Sequence, residues 1–370
     1  MSRIKLQQTG NGTFYVYLPR TLAENRNLKK GDFIDVFETE TSILLSPVSQ
    51  SWSYRRAKKE ELKVSEGPED LEWKIMSSYL SGILHARFQR MDEKDFSAKQ
   101  ITTANEVIQR LRGIESTINQ KELEFVDVVD YENVNLYDEI KRMFKVLRAM
   151  LEQNRTLLRS FKNPTIVADC LHRHWTFEKE QTNPISFYIH RIVSIKLQFP
   201  DLFVKTTAKA VDCQHAAIIT YILERIGDVI FGMANAILQI YAPHVDTGNL
   251  LAYPPSYIEE QLKPRLASLQ NLLAKMEEPM NFFLQKNSEL ARMLDDSEKI
   301  VCLKDAKFGL NLRKAMETWR TDFDQEIVDI VNNINEVSLL KSIFPVAFRL
   351  RELSTYIESL SSRTCQFYYS

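Results

Sequence analysis

The stretch HAAIITYILERIGDVIFGMANAILQIY, residues 215–241, decides the fold. Ile219, Ile222, Ile226, Val229, Ile230, Met233 and Ile237 recur at steps of three and four, the apolar stripe of an α-helix that wants partner helices. Glu224 and Asp228 fall one turn apart on the other side, bracketed by Tyr221, Phe231 and Asn235. Two carboxylates at i and i+4 suit one hard or borderline divalent cation, or a cluster completed by acids from neighbouring helices. The same spacing equally suits a solvated pair balanced by Arg225.

The rest of the chain supplies the partner helices. Its 370 residues are 44% apolar and 26% charged, enough for two or three globular domains. Only 10 Gly and 12 Pro interrupt long segments rich in Leu, Ile, Glu, Lys and Ala, so a mainly α protein is expected. No apolar run reaches membrane-spanning length, and the start, MSRIKLQQ, lacks the apolar stretch of a signal peptide; the expected location is the cytoplasm. Cys170, Cys213, Cys302 and Cys365 are scattered without a C-x-x-C pair, which argues against a zinc knuckle and against a disulfide framework. The net charge of −1 hides an asymmetry: residues 1–63 hold 11 Lys/Arg against 7 Asp/Glu, and the remainder 37 against 42. The basic end is the candidate for nucleic acid.

Residues 3–47 read as the β region. Gly10-Asn11-Gly12 signals a tight turn before the β-prone Phe14 to Leu18. Pro19 opens a short helix through Asn25, and Lys29-Lys30-Gly31-Asp32 turns into Phe33 to Phe37 and a last strand at Ile43 to Ser46. So short a unit buries little alone, which predicts a homodimer through this segment. Residues 51–68, with Arg55, Arg56, Lys58 and Lys59, read as a basic linker. Residues 69–135 read as a helical connector, with Leu71, Ile75, Tyr79, Ile83 and Phe88 on one helix, Ile101, Val107, Ile108, Leu111 and Ile114 on another, and residues 126–135 as an extended arm. A faint internal repeat then relates residues 136–243 to 257–367, each predicted to be one three-helix bundle opened by an amphipathic helix, at 138–161 and at 261–285.

Two resemblances sharpen this outline. Leu223-Glu224-Arg225-Ile226-Gly227-Asp228 resembles the signature helix of the PhoU family of phosphate-uptake regulators, whose repeated three-helix units carry an acidic motif that binds iron or zinc. Tyr79-Leu80-Ser81-Gly82 and Arg110-Leu111-Arg112-Gly113-Ile114-Glu115 are similar to strings in archaeal members. Gly10, Gly12, Thr13, Val16, Leu18, Pro19 and Arg20, with the Leu28 to Asp32 turn, resemble the AbrB/SpoVT-type swapped-hairpin DNA-binding domain. Together the resemblances imply a DNA-binding, dimeric regulator of phosphate uptake, residues 1–50 forming the barrel and residues 136–243 and 257–367 two tandem PhoU-like units. Arg3, Lys5 and Arg20, then Arg26, Lys29 and Lys30, would face double-stranded DNA; Glu224 and Asp228 would hold the metal. An alternative is an adaptor that does not bind DNA and docks on a phosphate transporter ATPase or a signalling kinase; a further one is a di-metal carboxylate enzyme built in the bundle.

The family pattern is incomplete. Where the helix preceding the signature helix should carry two acids, Lys179 and Asn183 stand, with Glu178 and Glu180 nearby. The counterpart helix in the second unit has Arg351 and Thr355 at its acidic positions. No Gly-rich phosphate loop, G-x-S-x-G elbow, H-E-x-x-H or E-x-x-H pair points to an enzyme.

Overall fold

A computed structural model describes residues 7–15, 17–25, 28–32, 34–38, 43–47, 59–199, 202, 210–241, 250–251, 253–303, 306–334 and 336–369. The N-terminal element order is hairpin, helix, hairpin, as read from the sequence. Strands β1 (Gln7–Gln8) and β2 (Phe14–Tyr15) pair antiparallel around a turn in which Gly12 takes φ +90°. Helix α1 (Arg20–Asn25) follows Pro19, and the Asp32 carboxylate accepts from the Lys29 N–H across the next turn. Strands β3 (Ile34–Glu38) and β4 (Ile43–Pro47) then pair antiparallel, Val36 opposite Leu45.

Residues 60–127 are not a linker and a helical connector; they build an α/β unit. Strand β5 (Glu60–Val64) starts inside the span read as linker, and helix α2 (Pro68–Leu80) carries the chain over to β6 (His85–Arg90), which runs parallel to β5. That is a β-α-β crossover. Helix α3 (Ala98–Ile108), started by a Ser97–Gln100 capping box, leads to the hairpin β7 (Ile114–Ile118) and β8 (Leu123–Asp127), giving the sheet order β5-β6-β8-β7. Helix α2 stops because Gly82 adopts φ +81° just beyond it, so Ile83 falls past the helix end and Phe88 in a strand. Alternate strand residues Ala86, Phe88, Leu123 and Phe125 bury against Leu71, Ile75, Tyr79 and Val107 of the helices.

The helical body begins at α4 (Leu136–Arg159), capped by Asn135. It continues through α5 (Pro164–Thr176), a π-helical turn over Phe177–Thr182, α6 (Asn183–Gln198) and α7 (Ala210–Tyr241). The apolar stripe read on α7, Ile219 through Ile237, is buried at every position named. Next come α8 (Pro255–Lys275), α9 (Glu277–Leu303), α10 (Ala306–Asn332) and α11 (Val337–Tyr369). The amphipathic segment expected at 261–285 is broken at Met276, which caps α8; Pro279 then sits in the first turn of α9, where a missing N–H is tolerated. Helix α8 lies along α5, and the second set of three helices is α9, α10 and α11. Helices α7 and α11 pack side by side at the centre, α4 joins α7 to α9, and one continuous apolar core runs through the whole body.

The α/β unit is tied to this body by a buried cation. Arg191 of α6 donates from Nε to Asp127 Oδ2 (2.6 Å) and from its terminal nitrogens to the carbonyls of Tyr79 (2.5 Å) and Ile83 (2.9 Å). Among the described residues, no helix is long and apolar enough to cross a membrane.

Candidate functional site

Glu224 and Asp228 sit on α7 as the spacing requires, but their carboxylates diverge. Glu224 is half-buried and accepts from Ser186 Oγ on α6 (3.4 Å). Asp228 is salt-bridged to Arg225 (2.9 Å), and its charge acts on Glu178. Glu178, read from the sequence only as an acid near the expected position, is the third carboxylate here. It is buried at 4% exposure, and its Oε2 has no hydrogen-bond partner among the described residues.

The π-turn puts it there. Pro184 has no N–H to offer the Glu180 carbonyl, and its ring would clash with that carbonyl in a regular α-helix. The backbone widens instead over Phe177–Thr182, which rotates Glu178 toward α7 in place of Lys179. Gly227 accepts the close approach: a Cβ on it would stand 3.0 Å from Thr182 Cγ2, 3.3 Å from Leu147 Cδ2 and 3.6 Å from Glu178 Oε2. The signal in the sequence is Pro184, which breaks the α-helical phase on which the acidic positions are counted.

Burial, followed by the charge of Asp228, pushes the Glu178 carboxyl up to about 7; Glu224 is raised by the same two causes in the same order. The notch therefore favours the protonated form of Glu178. The iron or zinc implied by the family resemblance needs converging ligands, and among the described residues no group of three or more His, Cys, Asp or Glu side chains is placed to hold a metal ion. With Asp228 turned to Arg225 and Glu224 to Ser186, the residues do not fit that metal.

A pH dependence follows. Between the ordinary carboxyl value of 4.5 and about 7, the native state holds a proton at Glu178 that the unfolded chain releases. The contribution is therefore complete at low pH and lost as pH rises through about 7. Relative to wild type, Glu178→Gln is expected to gain on the order of 2 kcal/mol between pH 5 and pH 8, read from urea unfolding. Parallel pH profiles would refute a proton held on Glu178.

Among the described residues, the second half shows no equivalent notch. Arg351 makes a two-bond ion pair with Asp324 of α10 (2.8 and 3.1 Å), and Thr355 turns its hydroxyl to the Arg351 carbonyl. What α11 contributes is an exposed face beside α7. Phe344 and Phe348 are 48% and 62% exposed, and Tyr221 on α7 is 51% exposed with Arg225 over its ring at 5.2 Å. The Arg349 side chain rests on Gly232, where a Cβ would meet Nε at 3.0 Å. The sequence carried this signal as Phe344 and Phe348 one turn apart, both outside the buried phase of α11.

Of the residues expected to face DNA, Arg3, Lys5 and Arg26 lie outside the described residues. Arg20 is at the start of α1 with its guanidinium paired to Glu24 (2.7 Å), and Lys29 and Lys30 are exposed on the turn before β3. In comparison with known proteins, no family model and no curated protein matches the chain. Among solved structures it is similar to the phosphate transport system regulatory protein PhoU from Streptococcus pneumoniae, at 14% sequence identity and a TM-score of 0.41, over 63% of this chain and 94% of that one.

Proposed function

We propose that this chain is a regulatory adaptor of phosphate uptake whose helical body docks on a partner protein, a phosphate transporter ATPase or a signalling kinase. The observation that carries the reading is the packed pair α7 and α11, two long central helices that expose Tyr221 beside Arg225 on α7, and Phe344 and Phe348 beside Arg349 on α11. Aromatic rings with neighbouring guanidinium groups are the side chains that concentrate binding energy in protein interfaces. The phosphate assignment rests on the resemblance carried by Leu223 to Asp228. Mapping genome-wide occupancy under phosphate plenty and starvation tests it: an adaptor shows no discrete sites in either condition, and sharp peaks that move with phosphate would overturn the reading.

The second reading, a DNA-binding dimer, is favoured by the order hairpin, six-residue helix, hairpin over residues 7–47. On that reading Arg20→Ala weakens duplex binding and lowers the salt slope by about one, as for one lost phosphate contact. On the adaptor reading a salt titration gives the same weak, sequence-independent binding for both proteins.

A further inference from the structure

Strand β7 ends the sheet of the α/β unit, and its outer edge is bare. Two bonds fix which groups lie on that edge: the Val128 N–H donates to the Gly113 carbonyl (3.0 Å) and the Asn119 N–H to the Glu122 carbonyl (2.8 Å). Bonded pairs alternate along an antiparallel ladder, so Glu115 and Thr117 also turn their main chain toward β8. The N–H and C=O of Ile114, Ser116 and Ile118 therefore point outward, and no described residue bonds to them. We infer that β7 pairs antiparallel with β7 of a second copy of this chain, joining two four-stranded sheets into one across a two-fold axis at Ser116. The inference is independent of the adaptor reading.

The opposite edge of the same sheet is closed by side chains. The Val64 carbonyl accepts from the Met91 N–H (2.8 Å), which leaves the Lys63 carbonyl outward, and the Lys74 ammonium takes it. Just beyond, the Ser65 N–H is held by Asp70 (2.6 Å) and the Ser65 carbonyl by Gln100 (3.2 Å). Capping side chains and exposed Lys63, Glu60 and Glu61 blunt β5, as natural sheets do to prevent edge-to-edge pairing. Strand β7 carries neither Lys nor Pro, its register with β8 runs without a bulge, and Glu115, Ser116 and Thr117 are exposed.

The strand's own sequence, Ile-Glu-Ser-Thr-Ile, selects a second copy as the occupant. Turned about an axis at Ser116, it lays Ile114 opposite Ile118 of the second copy, Glu115 opposite Thr117, and Ser116 opposite itself. All the outward N–H and C=O groups then find partners, and no carboxylate faces another directly. A slip of two residues one way sets Glu115 opposite itself, where like charges repel; the other way drops Ile114 from the pairing. Ile114 and Ile118 are half-buried at the rim of the α/β core, and the pairing covers more of both. So short a joint is smaller than a standard interface, which sets the expected dissociation constant on the order of 10–100 µM.

The test is sedimentation equilibrium of the full chain at low salt, for wild type, Ser116→Lys, Ser116→Glu and a one-to-one mixture of the two variants. Because Ser116 faces its own copy across the axis, each variant sets like charges against each other, and the mixture sets opposite ones. The expected result is a wild-type mass that rises with concentration, self-association at least about tenfold weaker in either variant alone, and the heavier species back in the mixture, with all melting temperatures alike. A wild-type mass that does not change with concentration overturns the inference. So does self-association equal in wild type and both variants, as a joint through residues 7–47 would give, and so does a mixture as light as its components.

Discussion

Replacing Arg191 with Met is expected to cost about 3–5 kcal/mol of unfolding free energy, because it leaves a buried anion without its cation. Arg191 is 0% exposed and Asp127 3% exposed. Besides Asp127 and the two α2–β6 carbonyls, the guanidinium reaches Tyr131 Oη (3.1 Å) and lies over the Tyr79 ring at 4.5 Å. Methionine fills similar volume, so the loss reports charge and hydrogen bonding more than a cavity. Lys at 191 should not restore it, since one ammonium cannot reproduce the fork. Removing the anion as well, in Arg191→Met/Asp127→Asn, should recover part of the loss. Urea unfolding of the four proteins decides it; a loss below about 1 kcal/mol would show that the α/β unit is held to the body by apolar packing instead.

Gly113→Ala should cost about 2–4 kcal/mol, from a left-handed backbone and a steric overlap together. Gly113 takes φ +73° at the turn into β7, and a Cβ there would stand 2.1 Å from Val129 Cγ2. Val129 has little room to retreat: its N–H is held by Asp127 Oδ1 (2.8 Å), and the Val128 N–H donates to the Gly113 carbonyl itself (3.0 Å). Tyr188 of α6 lies 3.5 Å from the same point, so the strain falls at the contact between the α/β unit and the body. Gly10→Ala, with nothing within 4 Å, is the matched control and should shift the thermal midpoint little. Equal midpoints for the two variants would contradict this account of the turn.

The sequence read well where one period ran unbroken. On α7 seven apolar residues keep helical phase through to Ile237, and all are buried. It misled where a local event reset the phase. Tyr79, Ile83 and Phe88 continue a helical count that Gly82 has already ended. In β6 the alternation of Ala86 and Phe88 is completed by Arg90, a charge on the buried side that Asp92 and Gln100 hold in place, so the strand does not look apolar on one face. The candidate site divides in the same way. Glu224 and Asp228 were visible from their spacing, whereas Glu178 depends on the widened turn before Pro184 and the contact of Arg349 with Gly232 on how α11 lies against α7. Neither long-range fact is written in a local pattern.

Docking through α7 and α11 is tested by the affinity of the full chain for a phosphate transporter ATPase subunit, by isothermal titration calorimetry. Wild type should bind at micromolar or tighter affinity, and Tyr221→Ser/Phe348→Ser should bind at least about tenfold more weakly with an unchanged melting temperature. If neither protein binds the ATPase or a signalling kinase, while wild type binds a specific duplex with an affinity that Arg20→Ala reduces, the chain works through DNA and the account is contradicted.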